Sequence, residues 1–228
     1  ASNIYDNLDD NGLWVFEQSY MPTMLENNSY DTICHEHLEY YSLKQIKYIL
    51  DKTGLKIVDV EFNGINGGSF SVIAAKKQSK HHESTSLIDK ILNHEKTIGL
   101  SSSRPFDAFN QRILKRREEL LAFFDLCGKD KKVVFGYGAS TKGNVLLQFC
   151  KITQKQMPYI AEVNEDKFGC YTPGTNIPII SETEAKKMPF DYFMVLPWHF
   201  RDNIIKRETQ FLSSGKKFIF PLPNFEIV

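Results

Sequence analysis

The sequence predicts an α/β protein with two sheets, of which the first is only partly present. Two patterns indicate this fold class. In residues 129–228, strand-like and helix-like segments alternate, which is typical of a parallel sheet with right-handed crossover connections. In residues 1–78, a strand and a helix precede two further strands, which is the order expected for the closing half of an α/β sheet.

The first part of the chain opens with "GLWVFEQSYM", an apolar run that predicts a strand and that Pro22 closes. The segment "SLKQIKYILDKTG" predicts an amphipathic helix with Ser42 as its N-cap and Gly54 as its C-terminal stop. The strands "LKIVDVEF" and "GSFSVIAAKK" are joined by "NGINGG", which is typical of a hairpin connection. We expect the opening half of this sheet to lie upstream of Ala1.

The middle of the chain predicts a connection between two sheets. Residues 79–86 are polar and indicate a linker, and residues 86–100 and 105–127 have the apolar spacing of helices. A buried-type strand near 133–135 then begins the second sheet. We therefore expect three parts, at 1–78, 79–128 and 129–228.

Composition excludes several classes of protein. Hydrophobic residues make up 42% of the chain, and 28 basic residues balance 28 acidic ones, which argues against a general nucleic-acid binder. Four scattered cysteines form no C-x-x-C pair and suit a reducing compartment. No apolar run is long enough to span a membrane. We expect a cytoplasmic protein that binds neither nucleic acid nor membrane.

A glycine turn in the second sheet is the first candidate site. Gly136 and Gly138 lie between a predicted strand and a helix, where backbone N–H groups and the helix dipole hold anions. Thr141 stands where the dinucleotide fingerprint has its third glycine, and no P-loop follows. Ser140, Thr141 and Lys142 add two hydroxyls and an ammonium, which favours a phosphate contact. The alternative is a tight turn that packing alone requires.

Other candidates follow the next strands of the same sheet. Ligands of open α/β sheets lie beyond the carboxyl ends of the strands. Asn164 follows the second predicted strand, and Trp198 and Arg201 follow the third. Arg201 is suited to pair with a phosphate and Trp198 to cover a base or sugar. A core tryptophan and a surface arginine are the alternative interpretation.

The segment "YDTICHEHLEYY" holds His35, Glu36 and His37 among several tyrosines, including Tyr40. Two histidines are too few for a metal site, and the other histidines lie in poor positions to complete one. A proton-transfer site fits better, because histidine titrates near neutral pH and a carboxylate and hydroxyls stand beside it. A polar cluster of purely structural meaning remains the alternative at this point.

Longer stretches of the chain resemble a known family. The run from "YDTICHEHLEYY" to "SVIAAKK" resembles the late part of the catalytic domain of S-adenosylmethionine-dependent sugar C-methyltransferases. The stretches "VFGYGASTKGNVLLQFC", "AEVNEDKFGCYTPGTNIPIISE" and "VLPWHFRDNIIKRE" resemble the C-terminal Rossmann-like domain of that family. The resemblance implies a partial class I methyltransferase-like sheet at 1–78, connecting helices at 79–128 and a Rossmann-like substrate-binding domain at 129–228.

The resemblance also implies an activity. Such enzymes transfer a methyl group from S-adenosylmethionine to a carbon of a nucleotide-linked keto-deoxysugar. The base falls on His37, with Glu36 beside it. The family has Tyr where this chain has Cys34. The expected donor-binding loop and a zinc-binding cysteine module would both lie upstream of Ala1, so we expect the isolated chain to be inactive.

Two alternative functions belong to other classes of protein. A non-catalytic nucleotide-sugar binding module would use the second sheet alone. An NAD-dependent oxidoreductase is disfavoured by the fingerprint broken at Thr141.

Overall fold

Helices and strands alternate through most of the chain, and the computed structural model describes all 228 residues. They fall into two compact units, each of which takes residues from two stretches of the chain. Unit 1 consists of Ala1–Glu26 and Leu38–Phe109, and unit 2 of Asn27–His37 and Asn110–Val228. The domain boundaries expected from the sequence, at 78 and 128, stay a prediction.

Unit 1 holds a three-stranded antiparallel sheet in the order β1-β3-β2. Its strands are β1 (Trp14–Ser19), β2 (Leu55–Asn63) and β3 (Ser69–Lys76). Its helices are α1 (Ser2–Asn7), α2 (Met21–Glu26), α3 (Leu43–Lys52) and α4 (Thr85–Ile98). The predicted hairpin between β2 and β3 is confirmed. The central strand β3 carries the fully buried side chains Phe70, Val72 and Ala74.

Two helices of unit 1 were not predicted. The residue patterns predict no element before β1 and only a polar stretch after Pro22, but α1 and α2 occupy these places. Proline is tolerated in the first turn of a helix because its missing N–H has no partner there. Met21, Met24 and Leu25 then bury the inner face of α2.

Helix α3 begins where the sequence predicts. Ser42 is its N-cap, and the side chain of Gln45 accepts the backbone N–H of Ser42 at 3.0 Å, as in a capping box. Leu43, Ile46 and Leu50 form its buried face. Gly54 follows the helix with φ +78°, a conformation that favours glycine.

Unit 2 holds a six-stranded sheet in the order β6-β5-β4-β7-β8-β9. Its strands are β4 (Val134–Tyr137), β5 (Ile160–Glu162), β6 (Ile179–Ser181), β7 (Tyr192–Val195), β8 (Lys217–Phe220) and β9 (Glu226–Ile227). The first five in spatial order are parallel, as predicted, and β9 pairs antiparallel with β8. Neither β6 nor β9 was predicted, because each is two or three residues long.

The helices of unit 2 connect these strands. They are the long α5 (Arg104–Lys129), whose residues from Asn110 onward belong to unit 2, and α6 (Thr141–Cys150), α7 (Glu182–Lys187), α8 (Arg201–Arg207) and α9 (Thr209–Ser213). Strands β4 and β7 are nearly continuous runs of buried residues, as expected for parallel strands covered on both faces. No helix of the chain combines the length and the apolar character needed to cross a membrane.

Candidate functional site

The glycine turn of unit 2 lies between β4 and α6, at the carboxyl edge of the parallel sheet. Ser140 is the N-cap of α6, and its Oγ accepts the N–H of Gly143 at 3.0 Å. Gly138 has φ +82°, and a Cβ there would lie 2.7 Å from the ring of Pro197. A Cβ on Gly136 would lie 2.7 Å from a side chain of β5. Packing and backbone conformation therefore explain both glycines, and a phosphate contact stays a prediction.

A cavity of about 340 Å³ opens beside this turn. Its walls include Gly138 and Ser140 from the turn, Glu162 at the end of β5, and Phe200 and Arg207 from the region after β7. Open α/β sheets bind ligands beyond the carboxyl ends of their strands, which is where this cavity lies. It is a candidate place in unit 2 for a small ligand, with charged side chains and an aromatic ring in its walls.

Glu162 occupies the strand end at which dinucleotide-binding folds hold a ribose through an acidic side chain. Here its oxygens are already engaged. Oε1 accepts the N–H groups of Val163 at 2.7 Å and Asn164 at 3.0 Å, and Oε2 accepts the N–H of Ala139 at 2.8 Å. The Lys167 ammonium lies 3.5 Å from Oε2. Three backbone N–H groups thus occupy this carboxylate, and we assign no residue of this chain to NAD or to S-adenosylmethionine.

The segment 27–37, which contains both histidines of the H-E-H run, is anchored within unit 2. Asn28 adopts φ +53°, donates to the carbonyl of Pro223 at 3.1 Å and accepts from Nε of Arg112 at 2.8 Å. The ring of Tyr30 lies 4.9 Å from an aromatic ring of α6, measured between centroids. Side chains on both flanks thus fix the short 3-10 turn Tyr30–Thr32.

Asp31 is a buried carboxylate in this turn, with 1% of its surface exposed. Its Oδ2 accepts the indole N–H of Trp198 at 2.8 Å, and its Oδ1 is buried without a hydrogen-bond partner. Burial raises the pKa of Asp31, and the Trp198 hydrogen bond, the Lys142 ammonium and the backbone N–H groups of Asp31 and Thr32 oppose that rise. A buried acceptor that lacks a partner is costly, so a native protein retains one for a reason.

Lys142, in the first turn of α6, is electrostatically coupled to this segment. Burial lowers the pKa of Lys142, and the carboxylate of Asp31 and the thiol of Cys34 act against that change. His199 is also close enough to feel the ammonium. Burial and Lys142 together lower the pKa of His199 to about 4, so this imidazole is neutral at neutral pH.

His37 is oriented by a backbone carbonyl. Its Nδ1 lies 2.7 Å from the carbonyl oxygen of Thr32, and the N–H of Cys34 donates to the same oxygen at 3.0 Å. A carbonyl oxygen only accepts hydrogen bonds, so Nδ1 carries the proton. In the neutral imidazole, Nε2 is then the atom with a free lone pair. A histidine held in this tautomer can take a proton at Nε2.

The remaining predicted residues take varied positions. His35 and Glu36 are exposed, while Tyr40 lies half-buried in unit 1. No three or more His, Cys, Asp or Glu side chains stand together as metal ligands would. Thr141 is the first residue of α6, and the side chain of Asn164 accepts the N–H of Asp166 at 3.0 Å. Their roles toward a substrate stay predictions.

Trp198 and Arg201 are held by other side chains. Trp198 is 5% exposed, and its indole N–H is given to Asp31. The guanidinium of Arg201 makes a two-bond contact with the carboxylate of Glu226, at 2.9 and 2.7 Å, and a further bond to Asp202. Trp198 thus positions the segment that carries His37. The substrate contact expected of either residue stays a prediction.

Sequence reasoning missed Asp31 and Glu162, and it placed His199 at the sheet edge without giving it a role. Asp31 stood next to residues that were singled out, but burial decides the character of Asp31 and His199, and no local pattern reveals it. A signal for Glu162 was present, because an acidic residue at the end of the second strand of a glycine-turn unit is a known position for ribose binding.

Comparisons with known proteins agree with this architecture. The family model described as "C-methyltransferase C-terminal domain" matches residues 64–223. The chain is also 33% identical over 217 residues to a protein named C-methyltransferase NovU, from Streptomyces niveus. That match covers 95% of this chain and 51% of the relative, so the chain spans about half the length of the curated relative it matches.

Proposed function

The chain belongs to the C-methyltransferase family. From this premise we propose that it takes part in the transfer of a methyl group from S-adenosylmethionine to a carbon of a nucleotide-linked keto-deoxysugar. The observation that carries the proposal is the hydrogen bond from Nδ1 of His37 to the Thr32 carbonyl. It fixes the tautomer that a general base at Nε2 requires.

The chemistry asked of His37 is the removal of one proton. A hydrogen on a carbon next to a ketone is acidic because the resulting enolate spreads its charge onto the keto oxygen. Nε2 of His37 takes this proton and becomes imidazolium, and the enolate carbon becomes the nucleophile that methylation needs. S-adenosylmethionine supplies the methyl group. The Thr32 carbonyl stabilises the imidazolium, because the charged ring donates more strongly through Nδ1.

The nucleotide part of the substrate is assigned to the carboxyl edge of the second sheet. The start of α6 presents a positive dipole end toward an anion, and Lys142 adds an ammonium there. The adjoining cavity, with Phe200 on one wall, offers an apolar surface for a base or sugar ring. Segment 27–37 and this edge belong to one compact unit, which supports a joint role in substrate binding and deprotonation.

The proposal is tested in the full-length protein with purified nucleotide-linked keto sugar and S-adenosylmethionine. His37→Asn suits the test, because the asparagine amide can still donate to the Thr32 carbonyl but offers no basic nitrogen. We expect kcat to fall by ~10²–10⁴-fold, the usual contribution of a general base. The KM for the nucleotide sugar should stay within about threefold, because a base acts mainly on the transition state.

His35→Ala is the matched control, because His35 is exposed and lies two residues away. We expect it to retain nearly full activity. Undiminished methyl transfer by His37→Asn would overturn the proposal. An equal loss in both variants, accompanied by loss of bound zinc, would instead indicate a metal site in the H-E-H run.

A further inference from the structure

We propose that Asp31 is a positioning residue for His37, which it orients through its hydrogen bond to the indole of Trp198. This inference rests on the proposed function, in which His37 is the base. It adds a residue that does not touch the reacting atoms and that acts on the orientation of the imidazole.

The first step is geometric. The carbonyl that orients His37 belongs to Thr32, the residue next to Asp31. This carbonyl belongs to the rigid peptide unit Thr32–Ile33, whose N–H donates to the carbonyl of Tyr30 at 2.9 Å and so closes the 3-10 turn Tyr30–Thr32. Asp31 is the central residue of that turn, so fixing its side chain holds the turn that aims the Thr32 carbonyl. The fixing partner, Trp198, lies on a different part of unit 2, in the 3-10 turn Trp198–Phe200 after β7.

The second step is the scarcity of other polar anchors in the turn. The hydroxyls of Ser29 and Thr32 are buried and make no hydrogen bond. Tyr30 contributes a weak contact, since its hydroxyl lies 3.6 Å from the sulfur of Cys150. The Asp31–Trp198 bond is therefore the strongest side-chain hydrogen bond made by residues 29–32, and it is charge-assisted.

The third step is the choice of an acid. A neutral acceptor would cost less to bury, yet the carboxylate is kept and its second oxygen has no hydrogen bond. Lys142 supplies the positive charge that offsets this burial. The arrangement ties the Asp31 turn to the start of α6, so the base-bearing segment and the predicted anion site share one charged group.

The test reads the tautomer of His37 directly and needs no methyl transfer. The 228-residue chain is labelled with ¹⁵N-histidine, and long-range proton–nitrogen spectra report which ring nitrogen is protonated. His37→Asn identifies the signal. Wild type should show the Nδ1–H tautomer. Trp198→Phe keeps an aromatic ring but removes the donor, and it should give a mixture of the two tautomers.

Three further variants complete the design. Asp31→Ala should resemble Trp198→Phe. Asp31→Asn should restore the wild-type tautomer, because its amide oxygen can still accept the indole N–H. Asp125→Ala removes an exposed carboxylate of α5 and should change nothing. If Asp31→Ala does not fold, Trp198→Phe carries the comparison alone.

In the full-length protein, we expect Trp198→Phe to lower kcat about tenfold, because slight misplacement of a catalytic group has effects of this size or more. The KM for the nucleotide sugar should stay within about threefold. Folded Trp198→Phe with a pure Nδ1–H tautomer and wild-type kcat would overturn the inference, as would Asp31→Asn behaving like Asp31→Ala. The tautomer result stands apart from the His37→Asn activity test, so failure of the proposed function and failure of this inference are distinguishable.

Discussion

Two buried carboxylates, one in each unit, differ in how fully their oxygens are hydrogen-bonded. Glu95 of α4 is 3% exposed and each of its oxygens accepts two hydrogen bonds. The donors are the hydroxyls of Tyr20 and Ser42 and the N–H groups of Leu43 and Lys44, at 2.6–3.1 Å. This carboxylate therefore accepts hydrogen bonds from free N–H groups at the start of α3, and these donors in turn stabilise its buried charge.

Asp31 is buried as deeply, but a side chain donates to only one of its oxygens, and the backbone N–H groups of Asp31 and Thr32 add weaker stabilisation of its charge. Its neighbourhood contains Lys142 and a neutral His199, whose Nδ1 is also buried without a partner. A buried carboxylate whose oxygens all accept hydrogen bonds is typical of a site that stabilises the fold. A buried carboxylate with an oxygen that lacks a donor, beside titratable groups, is typical of a site of binding or chemistry, because such sites keep polar groups at a cost in stability.

The largest expected effect is on the satisfied carboxylate. Glu95→Ala leaves two hydroxyls and two helix N–H groups without their acceptor, so we expect unfolding free energy to fall by about 3–5 kcal/mol. Urea unfolding followed by circular dichroism measures the change. Glu39→Ala, at an exposed position, is the control and should shift stability by less than about 0.5 kcal/mol. A loss below about 1 kcal/mol for Glu95→Ala would show that the hydrogen bonds are replaceable by water.

The comparison also shows which features can be predicted from the sequence. The apolar spacing of α3, its cap at Ser42 and the alternation of strands and helices in unit 2 are local signals, and the structure confirms them. The partners Glu95 and Asp31 were not predicted, because each meets its donors across 50 or more residues of chain, with Asp31 and Trp198 separated by 167. Local patterns predict elements, while nonlocal burial decides which acid is structural.

The grouping of residues 27–37 with unit 2 was beyond the sequence for the same reason. The segment lies between α2 and α3 in the chain, and both helices belong to unit 1. Its anchors are an asparagine in the left-handed conformation and a buried aspartate, whose donors come from Arg112 and Trp198. Such a segment has no periodicity to reveal its partners.

A smaller effect is expected on the binding of a nucleoside diphosphate near Asp31, where Lys142 lies. Lys142→Ala should weaken binding of a nucleoside diphosphate to the chain about tenfold, because it removes a charge-assisted contact to phosphate. Isothermal titration calorimetry measures the affinity. Lys44→Ala is the matched control. Lys44 also lies in the first turn of a helix beside a buried carboxylate, because its backbone N–H donates to Glu95. Equal weakening by both variants would show a diffuse charge effect and no phosphate site at α6.

The smallest expected effect is a pH dependence of stability at Asp31. Burial raises the pKa of Asp31 in the folded protein, while the Trp198 hydrogen bond and Lys142 hold the rise back. A raised folded pKa means that the stabilising contribution is full below the unfolded pKa of about 3.9 and is lost as pH rises through the folded pKa. Wild type should therefore lose stability relative to Asp31→Asn as pH increases from about 4 toward neutrality, because asparagine does not titrate.

Urea unfolding of both proteins across this range measures the difference, with Asp125→Asn as an exposed control that should track wild type. A difference that is constant with pH would mean that Trp198 and Lys142 fully offset the burial of Asp31 and would contradict this prediction.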